Sequence, residues 1–204
     1  MYVGRIVAVG KTSRPFAAYR VSSRSFPNRV AGVTDVGVAI HPLDPEDIKK
    51  NPYIAYNCIR VSAKGVVVSN GSHTDPIFEL IENGTAPDVA LQKVLTQMGY
   101  EKDDFNTPRI AGVVNDTVGF IGTIRADGLE ISSFDLEENS CHMICTYEMD
   151  RVESKGHPFV AESAEEAAQY VIDGGIFKDL ELPICSAAWM GELAVCNPHQ
   201  TRAS

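Results

Sequence analysis

No carboxylate occurs in the first 34 residues of this 204-residue chain, although the whole carries a formal net charge of −9. Six basic residues (Arg5, Lys11, Arg14, Arg20, Arg24, Arg29) stand in that stretch, and the remaining 12 share residues 35–204 with all 27 acidic ones. Cysteine is scarce and odd in number. The five thiols (Cys58, Cys141, Cys145, Cys185, Cys196) are widely spaced, which argues against a disulfide framework and for reduced side chains in a reducing cytosol. No apolar run approaches the length of a bilayer span, and Met1-Tyr2-Val3-Gly4-Arg5 lacks the pattern of a secretory leader. A cytoplasmic location without membrane contact is therefore expected. A pI near 5.0 makes most of the surface repulsive to phosphate polymers, so nucleic acid is excluded as a general partner. One small phosphorylated ligand in a locally basic pocket is not excluded. GxSxG, HExxH, GxxxxGKS/T and GxGxxG are all absent, and with them the usual signatures of those mechanisms.

There is also no repeat, low-complexity tract or linker-like stretch, so one domain over 1–204 is expected. Strand-like segments dominate: 2–9, 16–22, 36–41, 53–62, 65–69, 109–115, 118–126, 128–134, 141–148 and 184–190. Lys64-Gly65, Asn115-Asp116 and Asp127-Gly128 fit tight turns, which makes the pairing mostly antiparallel. Helical signals are few. Residues 74–82 begin at Asp75-Pro76 and stop at Asn83-Gly84; residues 87–98 carry an apolar stripe of Val89, Leu91, Val94, Leu95 and Met98. A third helix, 163–172, opens on the capping box Ser163-Ala164-Glu165-Glu166 and ends at Gly174. Strands such as Val66-Val67-Val68 are apolar at consecutive positions, as in sheets covered on both faces. Together these predict an α+β domain of two mainly antiparallel sheets with helices outside, a four-layer αββα sandwich.

Four segments hold residues suited to chemistry. In Tyr19-Arg20-Val21-Ser22-Ser23-Arg24-Ser25-Phe26-Pro27-Asn28-Arg29, arginine forks and serine hydroxyls together suit a small anion, although an edge strand with solvated arginines fits the same pattern. Strand alternation puts Arg20 and Ser22 on one face and Tyr19, Val21 and Ser23 on the other; beyond Pro27, Asn28 and Arg29 are expected in a loop. Asn51-Pro52-Tyr53-Ile54-Ala55-Tyr56-Asn57-Cys58 concentrates tyrosine and asparagine that are costly to bury without partners, or that pack as amphipathic core edges. Ser69-Asn70-Gly71-Ser72-His73-Thr74-Asp75 is a polar strand-to-helix junction, able to receive an anion or simply to turn and cap. Tyr100-Glu101-Lys102-Asp103-Asp104 puts five titratable groups in a loop that enters a sheet. Cys141-His142-Met143-Ile144-Cys145 splits across two strand faces, so no metal site is expected there or elsewhere.

The order of these segments, with Met1-Tyr2-Val3-Gly4-Arg5 before them and Thr107-Pro108-Arg109 after, resembles the archaeal-type inosine monophosphate (IMP) cyclohydrolase family. The resemblance implies closure of the second purine ring in de novo purine biosynthesis: 5-formamidoimidazole-4-carboxamide ribotide becomes IMP and water, with no cofactor. It also implies the αββα fold of N-terminal-nucleophile hydrolases, here without a nucleophile, since Met1 and Tyr2 offer none. On that footing Arg29, Tyr56, Glu101 and Lys102 are the catalytic candidates. Arg20, Ser22, Ser23, Arg24, Asn28, Asn57, Asn70 and Arg109 are the candidates for holding a phosphorylated ribonucleotide. A non-catalytic ribonucleotide-binding domain is the alternative, and a homo-oligomer is compatible with either.

Overall fold

Hairpin turns at the expected places fold this chain into two antiparallel sheets. The computed structural model describes residues 1–199, so the last five of the expected domain lie outside the described residues. Strands β1 (Arg5–Lys11) and β2 (Pro15–Ser22) form the first hairpin. The chain then crosses to the second sheet with β3 (Arg29–Thr34) and β4 (Gly37–Pro42). A single-turn helix α1 (Asp47–Lys50) and a 3₁₀ turn (Pro52–Ile54) lead into β5 (Tyr56–Ser62) and β6 (Gly65–Ser69). Helices α2 (Thr74–Glu82) and α3 (Pro87–Met98) follow, and β7 (Arg109–Val114), β8 (Val118–Arg125) and β9 (Gly128–Asp135) complete that sheet. Then β10 (Ser140–Cys145), β11 (His157–Pro158), α4 (Ala164–Asp173), β12 (Pro183–Trp189) and β13 (Leu193–Cys196) return to the first sheet. Its order is β11-β10-β1-β2-β12-β13, whereas β3 to β9 lie in chain order.

Side-chain alternation sorts each strand between two layers. Val7, Val9, Tyr19 and Val21 of the first sheet meet Ile40, Ile59, Val66, Val68 and Ile110 of the second in a core between the sheets. The opposite faces are covered by helices. Ala164, Ala167, Ala168 and Val171 of α4 pack on Ile6, Ala8, Phe16 and Ala18. Ile77 and Ile81 of α2, with Leu91 and Leu95 of α3, pack on Val67, Ala111 and Val113. Val67 thus faces helices while its neighbours face the other sheet, which is why all three valines are apolar. The fold is the expected αββα sandwich. Gly112 sits where the sheets approach: a Cβ there would lie 2.9 Å from Val9 Cγ1 and 3.0 Å from Val7 Cγ1.

Local chemistry sets the ends of the elements. Ser163 caps α4 by accepting from the Glu166 amide at 3.2 Å, and the Glu166 carboxylate accepts from the Glu162 amide at 2.8 Å. That is the capping box with its return bond displaced by one residue. Pro87 starts α3, and Gly99, at φ +63°, turns the chain away from it. Several segments differ from expectation: β11 and β13 fall in no expected strand, and the strand expected over 141–148 stops at Cys145. Arg29 opens strand β3 instead of lying in a loop, because Pro27 ends β2 without preventing a new strand two residues on. Residues 53–55 precede β5, since Pro52–Ile54 takes a 3₁₀ turn. No helix among the described residues is long and apolar enough to cross a membrane.

Candidate active site

A cavity of about 520 Å³ opens where the start of β1, the β2–β3 loop, the segment before β5 and the loop after α3 converge. Its charged floor is made by Arg5, Arg29 and Glu101. Arg5 is the first residue of β1, and its backbone is clamped by Thr146, whose Oγ1 accepts from the Arg5 amide at 3.0 Å and whose own amide donates to the Arg5 carbonyl at 3.1 Å. Arg29 is the first residue of β3; its Nε donates to the Phe26 carbonyl at 3.1 Å. Ser23 Oγ accepts from the Phe26 amide at 3.0 Å and so shapes the same turn. Glu101 is held by its amide donating to the Thr107 carbonyl at 2.8 Å, in a loop that the Asp103 carboxylate closes by accepting from the Thr107 amide at 2.9 Å and hydroxyl at 2.7 Å.

Glu101 is only 2% exposed, yet it lies between cations. Oε1 accepts from Arg109 Nη1 at 3.2 Å, and Oε2 stands 3.6 Å from Arg5 Nη2. Burial pushes its pKa up; Arg5, Arg109 and Arg29 pull against that, Asp103 adds to it, and the net effect is upward. The hydroxyls of the buried Tyr19 and Tyr56, neither of which lines the cavity, hydrogen-bond to each other at 2.7 Å. Burial raises the Tyr56 pKa, with Arg29 and Arg5 opposing. Burial works to lower the Arg5 pKa, but Tyr56, Tyr19, Glu101 and Tyr147 hold the cation and carry the net value above the usual arginine range. Aromatic rings form the mouth. Tyr2 stacks on Tyr147 with centroids 5.7 Å apart, Phe105 meets Tyr147 edge-on at 6.3 Å, and the Arg24 guanidinium lies 4.1 Å from the Tyr2 centroid. A site with two arginines and a buried carboxylate at its floor can stabilise an oxyanion and move a proton.

The structure brings together some of the residues expected at the site and disperses others. Arg29, Glu101, Ser23 and Arg24 line the cavity; Tyr56 and Arg109 do not, Tyr56 being hydrogen-bonded to Tyr19 and Arg109 to Glu101. Lys102 is exposed and does not line it, and neither does Asn28, exposed on the β2–β3 loop. Arg20 and Ser22 share a face, as alternation requires, but that face meets α4. Arg20 Nη1 donates to the carbonyls of Val171 and Ile172 at 3.2 Å and of Phe177 at 2.8 Å. Its Nη2 donates to Leu180 at 2.6 Å and Glu181 at 3.3 Å, and its Nε to Ser22 Oγ at 3.0 Å. No donor is left for a phosphate. Asn57 donates to the Asp75 carboxylate at 2.9 and 3.1 Å, on the α2 side of its sheet. Asn70 spans two strand-end groups, donating to the Pro108 carbonyl at 3.0 Å and accepting from the Ile110 amide at 2.8 Å. Arg5, Tyr2, Phe105 and Tyr147 were not singled out from sequence. Arg5 could have been, as a member of the carboxylate-free stretch; Tyr147 lies in a region with no recognisable motif.

Fold and site together define a layered α+β protein with a nucleotide-sized, cation-lined pocket at the end of its paired sheets. Its relatives narrow that class. The chain matches the family described as IMP cyclohydrolase-like protein over residues 2–193, and it belongs to that family. It is 49% identical over 189 residues to the IMP cyclohydrolase of Methanocella arvoryzae, covering 92% of this chain and 91% of that protein. Identity to the IMP cyclohydrolase of Methanothrix thermoacetophila is 45%, over 97% of this chain and all 100% of the relative. For the IMP cyclohydrolase of Methanocaldococcus jannaschii it is 42%, over 92% of each.

Proposed function

We propose that this chain is an IMP cyclohydrolase, closing the purine ring of 5-formamidoimidazole-4-carboxamide ribotide to give IMP and water in purine biosynthesis, in the cytoplasm and without a cofactor. The observation that carries this reading is Glu101, buried between arginines at the floor of the cavity, in a chain of this family. The substrate supplies both reacting groups, so the protein's task is to hold them in contact and manage charge. The carboxamide nitrogen attacks the formyl carbon, a C–N bond forms, and the C=O electron pair moves to the formyl oxygen. Glu101 takes the proton that the nitrogen loses. Arg29 and Tyr56 receive the oxyanion, which Glu101 then protonates. Glu101 next takes the proton of the former formamide nitrogen and passes it to the departing hydroxyl, so water leaves, a C=N bond forms and the carboxylate is restored. A pKa above the usual carboxylate value suits a group that both accepts and returns a proton near neutrality.

Ser23 and Arg24, with Ser25, hold the phosphate at the rim, and Arg109 fixes the Glu101 carboxylate from behind. Lys102, Arg20, Ser22, Asn28, Asn57 and Asn70 receive no contact with substrate in this reading, for the reasons of placement given above. The test is incubation with the formamido ribotide, without added metal or folate, while following absorbance as the purine forms. Wild-type protein converts it; Glu101→Gln, Arg29→Gln and Tyr56→Phe each lose about 100-fold or more in kcat while remaining folded. Wild-type protein that binds IMP but forms none from the ribotide refutes the reading and points to a binding module.

A further inference from the structure

An arginine enclosed by protein carries five donors and a charge, and ordinarily all but a few of those donors find acceptors. Arg20, Arg60, Arg109 and Arg125 each donate from a terminal nitrogen to a carbonyl or carboxylate, although Nε of Arg60 and of Arg109 has no partner, and Arg29 donates from Nε alone. Arg5 makes less than any of these. Its side chain is 15% exposed and lines the floor of the cavity. Among the described residues its guanidinium donates no hydrogen bond, and Glu101 Oε2 at 3.6 Å is too distant to count as one. The backbone beneath it is rigid, paired with Val21 across the sheet and clamped by Thr146.

We propose that Arg5 is a second substrate-contacting arginine of the ring closure, giving its uncommitted fork to the formyl oxygen as that oxygen becomes an anion. The inference rests on the ring-closing reading of the site. Two observations favour the reacting oxygen over the phosphate. Arg5 lies at the floor beside Glu101, 3.6 Å away, which handles the protons. The phosphate has a better seat at the rim, where the Arg24 side chain is 62% exposed. As the carbon–nitrogen bond forms, the carbonyl electron pair arrives on an oxygen held by preset donors, which need no reorganisation during reaction. That oxygen then departs in water, so IMP has lost the group that Arg5 grips.

The departure of that oxygen gives the test. In Arg5→Gln, kcat for ring closure falls by about 100-fold, while the Kd for IMP changes by less than about threefold. Arg5→Lys, which keeps the charge without the planar fork, loses about tenfold in kcat and guards against loss of the fold. Removing Arg5 also removes one of the cations facing Glu101, leaving Arg109, Arg29 and the opposing Asp103. For that reason kcat is measured at neutral pH and about two units higher. A loss that persists at the higher pH supports the contact, and a loss that raising the pH restores overturns it in favour of tuning Glu101. The proposal also fails if both variants turn over within about threefold of wild type, or if IMP affinity falls in step with kcat, which would put Arg5 on the phosphate. Wild-type protein that forms no IMP refutes the ring-closing reading itself, an outcome distinct from any of these.

Discussion

Arg20 and Arg29 come from one short arginine–serine run and end in different layers of the molecule. β2 is responsible. Both of its faces are buried, with Tyr19 and Val21 turned to the other sheet and Ala18 turned to α4. Alternation can therefore be read from the sequence, but polarity cannot say which face meets the helix. Arg20 faces α4, where burial lowers its pKa to about 10 and backbone carbonyls take its terminal donors. Replacing it strands those carbonyls in a dry interior. Arg20→Met is expected to lose about 3 kcal/mol or more of unfolding free energy in the absence of ligand. Urea unfolding measures this, and a loss below about 1 kcal/mol would show that water or rearrangement satisfies the carbonyls. Arg29 and Glu101 were legible as site residues because the run and the acidic loop are both distinctive. Arg5 stood out only as one more cation of the carboxylate-free stretch, since the groups that give it meaning, Glu101 and Tyr147, lie far along the chain.

Among the elements, helices were read most closely and the edges of sheets least. Helix α2 runs over the expected residues because Pro76 near its start and Asn83-Gly84 at its end punctuate it, and α3 does so because its apolar stripe has one period throughout. Strands β3 and β13 left weaker marks. β3 begins two residues after a proline and its far end is exposed; β13 is only four residues long. The close approach of β7 to β1 depends on Gly112, where a Cβ would have no room beside Val9 and Val7. Gly112→Ala is expected to cost about 1–3 kcal/mol, because the neighbours are packed valines and neither sheet can yield alone. Equilibrium unfolding reads that cost, and an unchanged midpoint would mean that the sheets are free to slide apart.

At the scale of the whole molecule, the candidate site belongs to no single element. Arg5 comes from the first sheet, Arg29 and Tyr56 from the second, Glu101 from the loop after α3, and Tyr147 from beyond β10. A ligand that engages them all binds only the assembled sandwich. IMP at about 100 times its Kd is therefore expected to raise the unfolding free energy by about 2.7 kcal/mol. Fluorescence of Trp189, the single tryptophan, in the first sheet, and far-ultraviolet circular dichroism should then give one shared midpoint. Two separate transitions, or no shift with IMP, would contradict this coupling. The grip of Arg20 on the segment from α4 to Glu181 has another consequence, for anyone who wishes to cut or lengthen the chain. Carbonyls from the last turn of the helix, from the following 3₁₀ turn (Gly175–Asp179) and from Leu180 and Glu181 all converge on one side chain. An insertion or a new pair of termini there would unwind a whole span of backbone at once. The exposed Asn83-Gly84 turn between α2 and α3 carries no such knot, and it is the natural place to open the chain for circular permutation.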